Sequence, residues 1–158
     1  MPENSERFLI QSALPKAEKF CAYQERCIFE VKQKLTRLGL SPNIQTKVIN
    51  ILLEKDFINE ERYTELFIRS KINQNGWGPY KISQELNKRQ IPKGLINKYL
   101  NEFPDDQHDE ILKKLIESKL RNINEEDKFK KKQKVLRFAY SKGYSVDQTE
   151  RVLKNFEL

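Results

Sequence analysis

The chain contains few of the residues that covalent or metal chemistry requires. Its 158 residues include two cysteines, Cys21 and Cys27, and a single histidine, His108. Three such side chains cannot complete a four-ligand structural zinc site, so we interpret both cysteines as packed, reduced thiols. A Ser-His-Asp or Cys-His arrangement would have to use His108, but no candidate nucleophile is near it and its acidic surroundings indicate an exposed loop. We therefore predict no catalytic residue, no metal site, no cofactor and no enzymatic activity.

Long apolar runs and glycine-rich loops are also missing. No apolar run approaches the roughly 20 residues of a membrane-spanning helix, and residues 1–13 lack the basic start and apolar block of a secretion signal. We therefore expect neither membrane insertion nor secretion. Gly76-Trp77-Gly78 has two glycines and no Lys-Ser or Lys-Thr after it, so it does not match a phosphate-binding loop. The acidic pairs Glu60/Glu61 and Asp105/Asp106 stand at expected helix starts, where the helix dipole favours negative charge over acid–base chemistry.

One pattern of about 22 residues occurs three times, beginning at Val31, Ile82 and Val135. The starts are 51 and 53 residues apart, and apolar residues recur inside each copy at helical spacing. Repeats of this period are typical of stacked helical modules, each too small to bury a sufficient core alone. The sequence therefore predicts an all-α fold of three tandem three-helix, helix-turn-helix-like repeats that form an elongated, curved array.

Local signals place the helices. We expect a short first helix from Ala17, a second that ends at Gly39, and a third capped by Ser41 with Pro42 in its first turn. Asn59 is predicted to cap the fourth helix, and Ser145 to form a capping box with Gln148 before the last. The acidic segment 102–110 is predicted to be a hinge. The predicted divisions are an N-terminal extension at 1–16 and repeats at 17–57, 58–104 and 105–158.

Positive charge is concentrated in two blocks. The chain has 30 Lys and Arg against 23 Asp and Glu, a net charge of +7, which favours a polyanionic partner. Residues 68–98 carry +6, and residues 127–143 carry another +6. Solvated lysine faces would give the same composition, so we regard the two explanations as evenly balanced. The basic residues that we assign to a partner surface are Arg69, Lys71, Lys81, Lys88, Arg89, Lys130, Lys131, Lys132 and Arg137.

Aromatic and polar residues raise two further possibilities. Trp77, between two glycines, is a candidate for partner contact or base stacking, whereas Tyr63 and Phe67 share an apolar face and are expected in the core. The outer faces of the third helices could present base-reading side chains, among them Gln45 and Asn97. Polar helix faces in general look the same, so we do not favour sequence-specific readout. No dimerisation heptad is visible, and we expect a monomer.

Several segments together resemble the RecX family of recombinase regulators. They are Lys55–Tyr63, Phe67–Lys71, Gly76–Ile82 with Glu85 and Leu86, Lys32-(x)2-Leu35-(x)3-Gly39-Leu40, and Arg137-Phe138-(x)4-Gly143-Tyr144-Ser145. The resemblance extends from about Ala17 to Phe156. Asp56 and Gln90 stand where the family usually has glycine, and Thr64 and Thr149 where it usually has alanine and isoleucine.

The resemblance implies a bacterial cytoplasmic protein that binds the RecA filament on single-stranded DNA. It would inhibit the recombinase, ATPase and coprotease activities of RecA, with some Lys and Arg side chains reaching phosphate. Double-stranded DNA is a second candidate ligand. The alternative function is that of an autonomous DNA-binding protein without sequence specificity.

Overall fold

Nine helices and no strand occur between residues 2 and 156, the part of the chain that the computed structural model describes. The helices are α1 (Pro2–Tyr23), α2 (Ile28–Arg37), α3 (Pro42–Glu54), α4 (Glu60–Asn73), α5 (Pro79–Lys88), α6 (Lys93–Leu100), α7 (Asp105–Asn122), α8 (Lys128–Ser141) and α9 (Val146–Leu153). The predicted all-α class is confirmed. The predicted repeat boundaries stay predictions, and their outer ends at residues 1 and 158 lie outside the described residues.

Two compact units can be distinguished. The first comprises Met1–Glu65 with Arg89–Ile91, and the second comprises Leu66–Lys88 with Pro92–Leu158. The core of the first unit is built by α1, α2 and α3, which contribute apolar side chains spaced four residues apart. Its buried residues include Ala13, Ala17, Cys21, Val31, Leu35, Val48 and Leu52.

In the second unit, α7, α8 and α9 surround one apolar core. Its members are Leu112, Ile116, Val135, Ala139, Tyr144, Val152 and Leu153. Helices α4, α5 and α6 also bury one apolar face each, through Ile68, Ile72, Ile82, Leu86, Ile96 and Tyr99. The middle helix of each repeat therefore buries the residues that begin the repeated pattern: Val31, Ile82 and Val135.

The turns after α2, α5 and α8 share an unusual backbone conformation. Gly39, Gln90 and Gly143 occupy the same position in the repeat, and their φ angles are +83°, +58° and +102°. Asp56 also has a positive φ, +62°. A left-handed residue is easily supplied by glycine and is strained for most others. The RecX resemblance expects glycine at positions 56 and 90. Asp56 and Gln90 therefore adopt the left-handed backbone conformation that glycine would adopt there, although each carries a side chain.

Two buried threonines replace apolar residues without leaving a polar atom unpaired. The Thr64 hydroxyl donates to the Glu60 carbonyl oxygen at 2.6 Å, and the Thr149 hydroxyl donates to the Ser145 carbonyl oxygen at 2.7 Å. Both bonds reach back one helical turn, which is a common way to satisfy a hydroxyl inside a helix. The departures from the family pattern are thus accommodated locally.

The predicted caps are largely confirmed. The Arg62 N–H donates to Asn59 Oδ1 at 2.9 Å, and the Gln148 N–H donates to Ser145 Oγ at 3.0 Å. The Gln148 side chain donates to Asp109 Oδ1 at 3.0 Å, so we find only the serine half of the predicted capping box. Ser41 occupies the N-cap of α3, but its side chain makes no capping hydrogen bond.

Three expectations about elements are wrong. The first helix begins at Pro2 and contains Pro15 in its interior, whereas the sequence indicated a start at Ala17. The acidic segment is not a hinge throughout, because Asp105 and Asp106 form the first turn of the 18-residue helix α7. His108 lies in that helix, not in an exposed loop, and its side chain is 2% exposed.

Candidate functional site

A half-buried tryptophan, Trp77, lies in the turn between α4 and α5 with two lysine ammonium groups close to its ring. Lys71 Nζ lies 4.7 Å and Lys81 Nζ 4.5 Å from the centroid of the Trp77 ring. The Phe67 ring meets Trp77 edge-on, with centroids 6.2 Å apart and an interplanar angle of 70°. Ammonium groups are attracted to the electron-rich face of an indole. We call Phe67, Lys71, Trp77 and Lys81 the Trp77 cluster.

Local geometry fixes this turn. The Trp77 N–H donates to the Lys71 carbonyl oxygen at 2.9 Å, which folds the turn back onto the end of α4. Gly76 has a φ of +66°, and Pro79 starts α5 with the backbone angle that a first helical turn requires. Lys71 at the end of α4 and Lys81 in the first turn of α5 are thereby brought to the same ring.

The turn is also held by the segment between α8 and α9. The Gly78 N–H donates to the Lys142 carbonyl oxygen at 2.7 Å, the Tyr80 N–H to the Gly143 carbonyl oxygen at 3.1 Å, and the Tyr144 hydroxyl to the Gly76 carbonyl oxygen at 3.0 Å. A Cβ on Gly78 would lie 2.5 Å from the Gly143 carbonyl oxygen, so neither backbone tolerates a side chain here. Burial raises the pKa of Tyr144, which keeps its hydroxyl a proton donor. The turn that carries Trp77 is therefore held in place by three hydrogen bonds to the segment between α8 and α9.

The other predicted basic residues of the first block, Arg69, Lys88 and Arg89, lie in different surroundings. Arg69 is exposed on α4 with its guanidinium 3.7 Å from the Glu102 carboxylate. Lys88 lies in the last turn of α5 and pairs with Glu85 at 3.2 Å. Arg89 belongs to the first compact unit, whereas Lys88 belongs to the second. Of this block, Lys71 and Lys81 are brought together with Trp77.

The second predicted block begins α8. Asp127 caps the helix by accepting the Lys130 N–H at 3.0 Å. Lys130 is exposed, Lys131 and Lys132 are half-buried, and Lys132 lies 3.7 Å from the Glu150 carboxylate. These three lysines are consecutive residues near the start of α8. The charge of Lys132 is partly neutralised by the Glu150 carboxylate.

Arg137 is part of a separate basic and aromatic surface. It lines a shallow pocket of about 350 Å³ with Lys119, Lys134 and Phe138. Lys119 Nζ lies 5.1 Å and Lys142 Nζ 6.0 Å from the Phe138 ring centroid. We call these five residues the Phe138 cluster. Lys142 is also the residue whose carbonyl oxygen accepts the Gly78 N–H, so one turn supports both clusters.

Sequence reasoning missed a groove beside the Trp77 cluster. The groove has a volume of about 470 Å³ and is lined by Lys81 together with Tyr80 and Tyr140, which are 63% and 70% exposed. Tyr80 lies two residues before Ile82, and Tyr140 lies one residue after Ala139; both neighbours are buried positions of the repeat. Neither offset returns to the same side of a helix, so the exposure of both tyrosines could have been inferred from helical spacing.

Other candidate residues have structural roles. Tyr63 is buried as expected, whereas Phe67 is only half-buried and its ring contacts the half-buried Trp77 ring. Gln45 cannot read bases, because its side chain is buried and donates to Thr36 Oγ1 at 3.0 Å and to the Leu40 carbonyl oxygen at 2.8 Å. Asn97 is exposed on α6.

The two cysteines and the histidine, which are the residues best suited to nucleophilic or metal chemistry, are buried. Burial raises the pKa of the Cys21 thiol to about 11 and that of Cys27 to about 12, so both remain protonated near neutral pH. Burial lowers the pKa of His108 despite the nearby carboxylates of Asp105 and Asp109. Within residues 2–156 no group of three or more His, Cys, Asp or Glu side chains is placed to hold a metal ion. None of the helices in that range is long and apolar enough to span a membrane.

The fold and these clusters define an all-helical repeat protein with basic and aromatic surface groups. Two family models match, described as the second and third three-helix domains of RecX, over residues 59–100 and 105–153. Together they cover more than half of the chain. The chain belongs to the RecX family, and the predicted tandem three-helix fold is confirmed.

Individual relatives agree with this assignment. The chain is 29% identical over 148 residues to the regulatory protein RecX of Bacillus cytotoxicus, covering 94% of this chain and 55% of that protein. It is 33% identical over 139 residues to the regulatory protein RecX of Clostridium tetani, covering 87% of this chain and 63% of that protein. The chain thus spans a little more than half the length of these curated relatives.

Solved structures share the fold. The crystal structure of RecX from Lactobacillus salivarius superposes with a TM-score of 0.81 at 24% identity, covering 96% of this chain and 98% of that one. A crystal structure of a regulatory protein RecX gives a TM-score of 0.85 at 23% identity, covering 92% of this chain and 73% of that one.

Proposed function

We propose that this chain is a non-enzymatic cytoplasmic regulator that binds the RecA filament on single-stranded DNA and inhibits its recombinase, ATPase and coprotease activities. Membership of the RecX family supports a regulatory role. The observation that carries the proposal is the Trp77 cluster, because it holds two ammonium groups at a half-exposed indole on a rigid turn.

Such a surface suits a nucleoprotein partner. Phosphate oxygens attract the two lysines, and an indole ring offers a flat face to an unpaired base or to a protein side chain. Binding that favours one state of the filament shifts its assembly or turnover without any catalytic group on the regulator. Because the turn is already fixed by Gly78, Gly143 and Tyr144, little ordering is needed on binding.

The proposal is tested by reversing the charge of the two cluster lysines together with that of Arg69, the exposed arginine on α4. We expect the variant Arg69→Glu/Lys71→Glu/Lys81→Glu to lose inhibition of RecA ATPase on single-stranded DNA, measured by titrating the protein into preformed filaments. The neutral variant Lys71→Gln/Lys81→Gln is expected to shift the inhibition curve to higher concentration. Trp77→Phe, which keeps an aromatic face, is expected to retain most of the inhibition.

A matched control separates local contact from net charge. Lys114, Arg121 and Lys154 are exposed residues of the same unit, and reversing all three changes the net charge by the same amount. We expect this control to inhibit almost normally, and far-UV circular dichroism to show equal helicity in all variants. Undiminished inhibition by the Arg69→Glu/Lys71→Glu/Lys81→Glu variant, with helicity intact, would overturn the assignment of this surface.

The alternative is an autonomous DNA-binding protein without sequence specificity. The Phe138 cluster favours it, since Lys119 and Lys142 lie over the Phe138 ring and Lys134 and Arg137 line the same pocket. Such a protein would inhibit RecA only near saturation of the DNA, with an affinity that falls steeply with salt. Inhibition well below DNA saturation would favour the filament regulator.

A further inference from the structure

A third basic and aromatic site lies in the first compact unit, outside both predicted charge blocks. Helices α1 and α2 form a pocket of about 580 Å³. Five of its lining residues are cationic: Lys16, Lys19, Arg26, Lys34 and Arg37. The other two are Phe20 and Tyr23. We call this site the α1–α2 pocket.

Helical geometry explains how the pocket arises. Lys16, Lys19, Phe20 and Tyr23 are spaced i, i+3, i+4 and i+7, so they form one stripe along α1. The neighbouring stripe of Ala13, Ala17 and Cys21 is buried in the core and fixes the rotation of the helix. Lys34 and Arg37, three residues apart on α2, complete the wall.

The charges of the pocket favour an anion. No carboxylate lines it among the described residues, and Lys16, Lys19 and Arg37 are exposed. Arg26 is the partly neutralised member, because its guanidinium lies 3.8 Å from the Glu30 carboxylate. Like charges that line one pocket repel one another, and a polyanion relieves that repulsion.

The aromatic rings favour an anion that also carries flat bases. The Arg26 guanidinium lies 3.8 Å from the Phe20 ring centroid, and Arg26 Nε donates to the Phe20 carbonyl oxygen at 3.1 Å. Phe20 is thereby already covered on one face. Tyr23, at the end of α1, is 82% exposed and leaves its ring available. An exposed ring beside a row of cations is the arrangement with which proteins bind single strands.

We propose that the α1–α2 pocket binds single-stranded DNA, with phosphates on Lys16, Lys19 and Arg37 and one base stacked on Tyr23. The choice of DNA as the nucleic acid rests on the proposed function; the site itself rests on the pocket. An unpaired strand is required because the bases of a duplex have no free face for Tyr23 to stack on.

The stacking contact is tested with a fluorescein-labelled oligothymidylate and no recombinase, by fluorescence anisotropy. We expect Tyr23→Ala to weaken binding roughly five- to tenfold, and Tyr23→Phe to bind like the unchanged protein. Phe8→Ala is the matched control, because Phe8 is also exposed on α1 and lies about 22 Å away along the helix. Equal affinities for the unchanged protein, Tyr23→Ala and Phe8→Ala would overturn the proposal.

The phosphate contacts are tested by the salt dependence of the same binding. We expect Lys19→Gln/Arg37→Gln to reduce the slope of log affinity against log salt by about 1.4, since each phosphate contact to a single strand contributes about 0.7. Lys114→Gln/Lys154→Gln, with the same loss of charge, is expected to leave the slope unchanged. An unaltered slope in Lys19→Gln/Arg37→Gln, or tighter binding to a duplex than to the single strand, would overturn the proposal.

The two proposals fail separately. If the protein inhibits RecA ATPase but does not bind the free oligonucleotide, the α1–α2 pocket proposal is wrong and the proposed function stands. If it binds the oligonucleotide through Tyr23 but leaves RecA ATPase unaffected, the pocket stands and the proposed function is wrong.

Discussion

Gly143 is the residue at which backbone conformation and close packing coincide. Its φ is +102°, and a Cβ built on it would lie 2.5 Å from the Lys81 Cβ and 2.8 Å from the Gly78 carbonyl oxygen. Gly39 has a comparable φ of +83°, but nothing lies within 4 Å of a Cβ there. The pair therefore separates the cost of the left-handed backbone from the cost of the contact.

We expect Gly143→Ala to lower the free energy of unfolding by about 3 kcal/mol, through backbone strain and overpacking together. Gly39→Ala should cost only about 1 kcal/mol, because strain acts alone. Urea unfolding followed by circular dichroism measures both. Gly94→Ala is the control, since this glycine lies inside α6 in open space and its replacement should be neutral or slightly stabilising. Equal losses at Gly143 and Gly39 would contradict the close contact.

His108 shows how burial adds a dependence on pH. Its Nδ1 is buried without a hydrogen-bond partner, and burial lowers its pKa in the folded protein. In the unfolded chain the pKa is about 6.5. Between the folded pKa and about 6.5 the unfolded state binds more protons, so the His108 contribution to stability is complete above this window and is lost as pH falls through it.

We therefore expect the free energy of unfolding to decrease from about pH 8 to about pH 5 more steeply in the unchanged protein than in His108→Leu. Carboxylates that titrate in this range contribute equally to both proteins, so the difference between the two slopes isolates the histidine. Urea titrations at several pH values measure it. A slope that is identical in the two proteins would contradict a lowered pKa.

The burial of His108 could not be predicted from its sequence neighbours. Asp105, Asp106 and Asp109 indicated a solvated loop, but Asp105 and Asp106 form the first turn of α7, Asp109 follows it, and His108 at the fourth position of the helix faces inward. The Phe103 ring, 6.4 Å away, lies beside the imidazole. Which side of a helix is buried depends on how it packs, and a single polar residue does not reveal it.

At the scale of the helices, local signals were the most informative. Gly39, Asn59 and Ser145 mark their boundaries correctly, because caps and turns depend on residues within one turn of the boundary. The predicted start of α1 is wrong because a proline is usually found in the first turn of a helix. Pro15 instead lies in the interior of the 22-residue helix. The α1–α2 pocket does not stand out as a run of charge along the chain, because its cations come together only through helical spacing and the packing of two helices.

The N-caps of α3 and α9 give a matched comparison. Ser41 and Ser145 occupy the same position in the repeat, but only Ser145 accepts a hydrogen bond from the helix, at 3.0 Å from the Gln148 nitrogen. We expect Ser145→Ala to lower the free energy of unfolding by about 1 kcal/mol and Ser41→Ala to change it much less. Urea unfolding measures both variants. A larger loss in Ser41→Ala than in Ser145→Ala would contradict the cap geometry.

At the scale of the whole molecule, the net charge of +7 favours a polyanionic partner but does not locate the surfaces that would bind it. The two blocks of +6 contain lysines that pair with Glu85 or Glu150 as well as those of the Trp77 cluster. Side-chain partners depend on the packing of helices that are distant in sequence. The cations that gather around half-buried rings, including Lys119 and Lys142 at Phe138, could therefore be assigned only from the structure.

The Trp77 cluster and the α1–α2 pocket belong to different compact units, so their joint use is a property of the whole chain. If both contact the same RecA filament, the second contact is intramolecular and the two affinities multiply. Weakening each about fivefold, by Lys71→Gln/Lys81→Gln and by Tyr23→Ala, should then reduce filament affinity about 25-fold in the combined variant. Filament-bound protein measured by co-sedimentation tests this. If the sites act as alternatives, each separate variant will bind almost normally, because the other site still holds the protein on the filament.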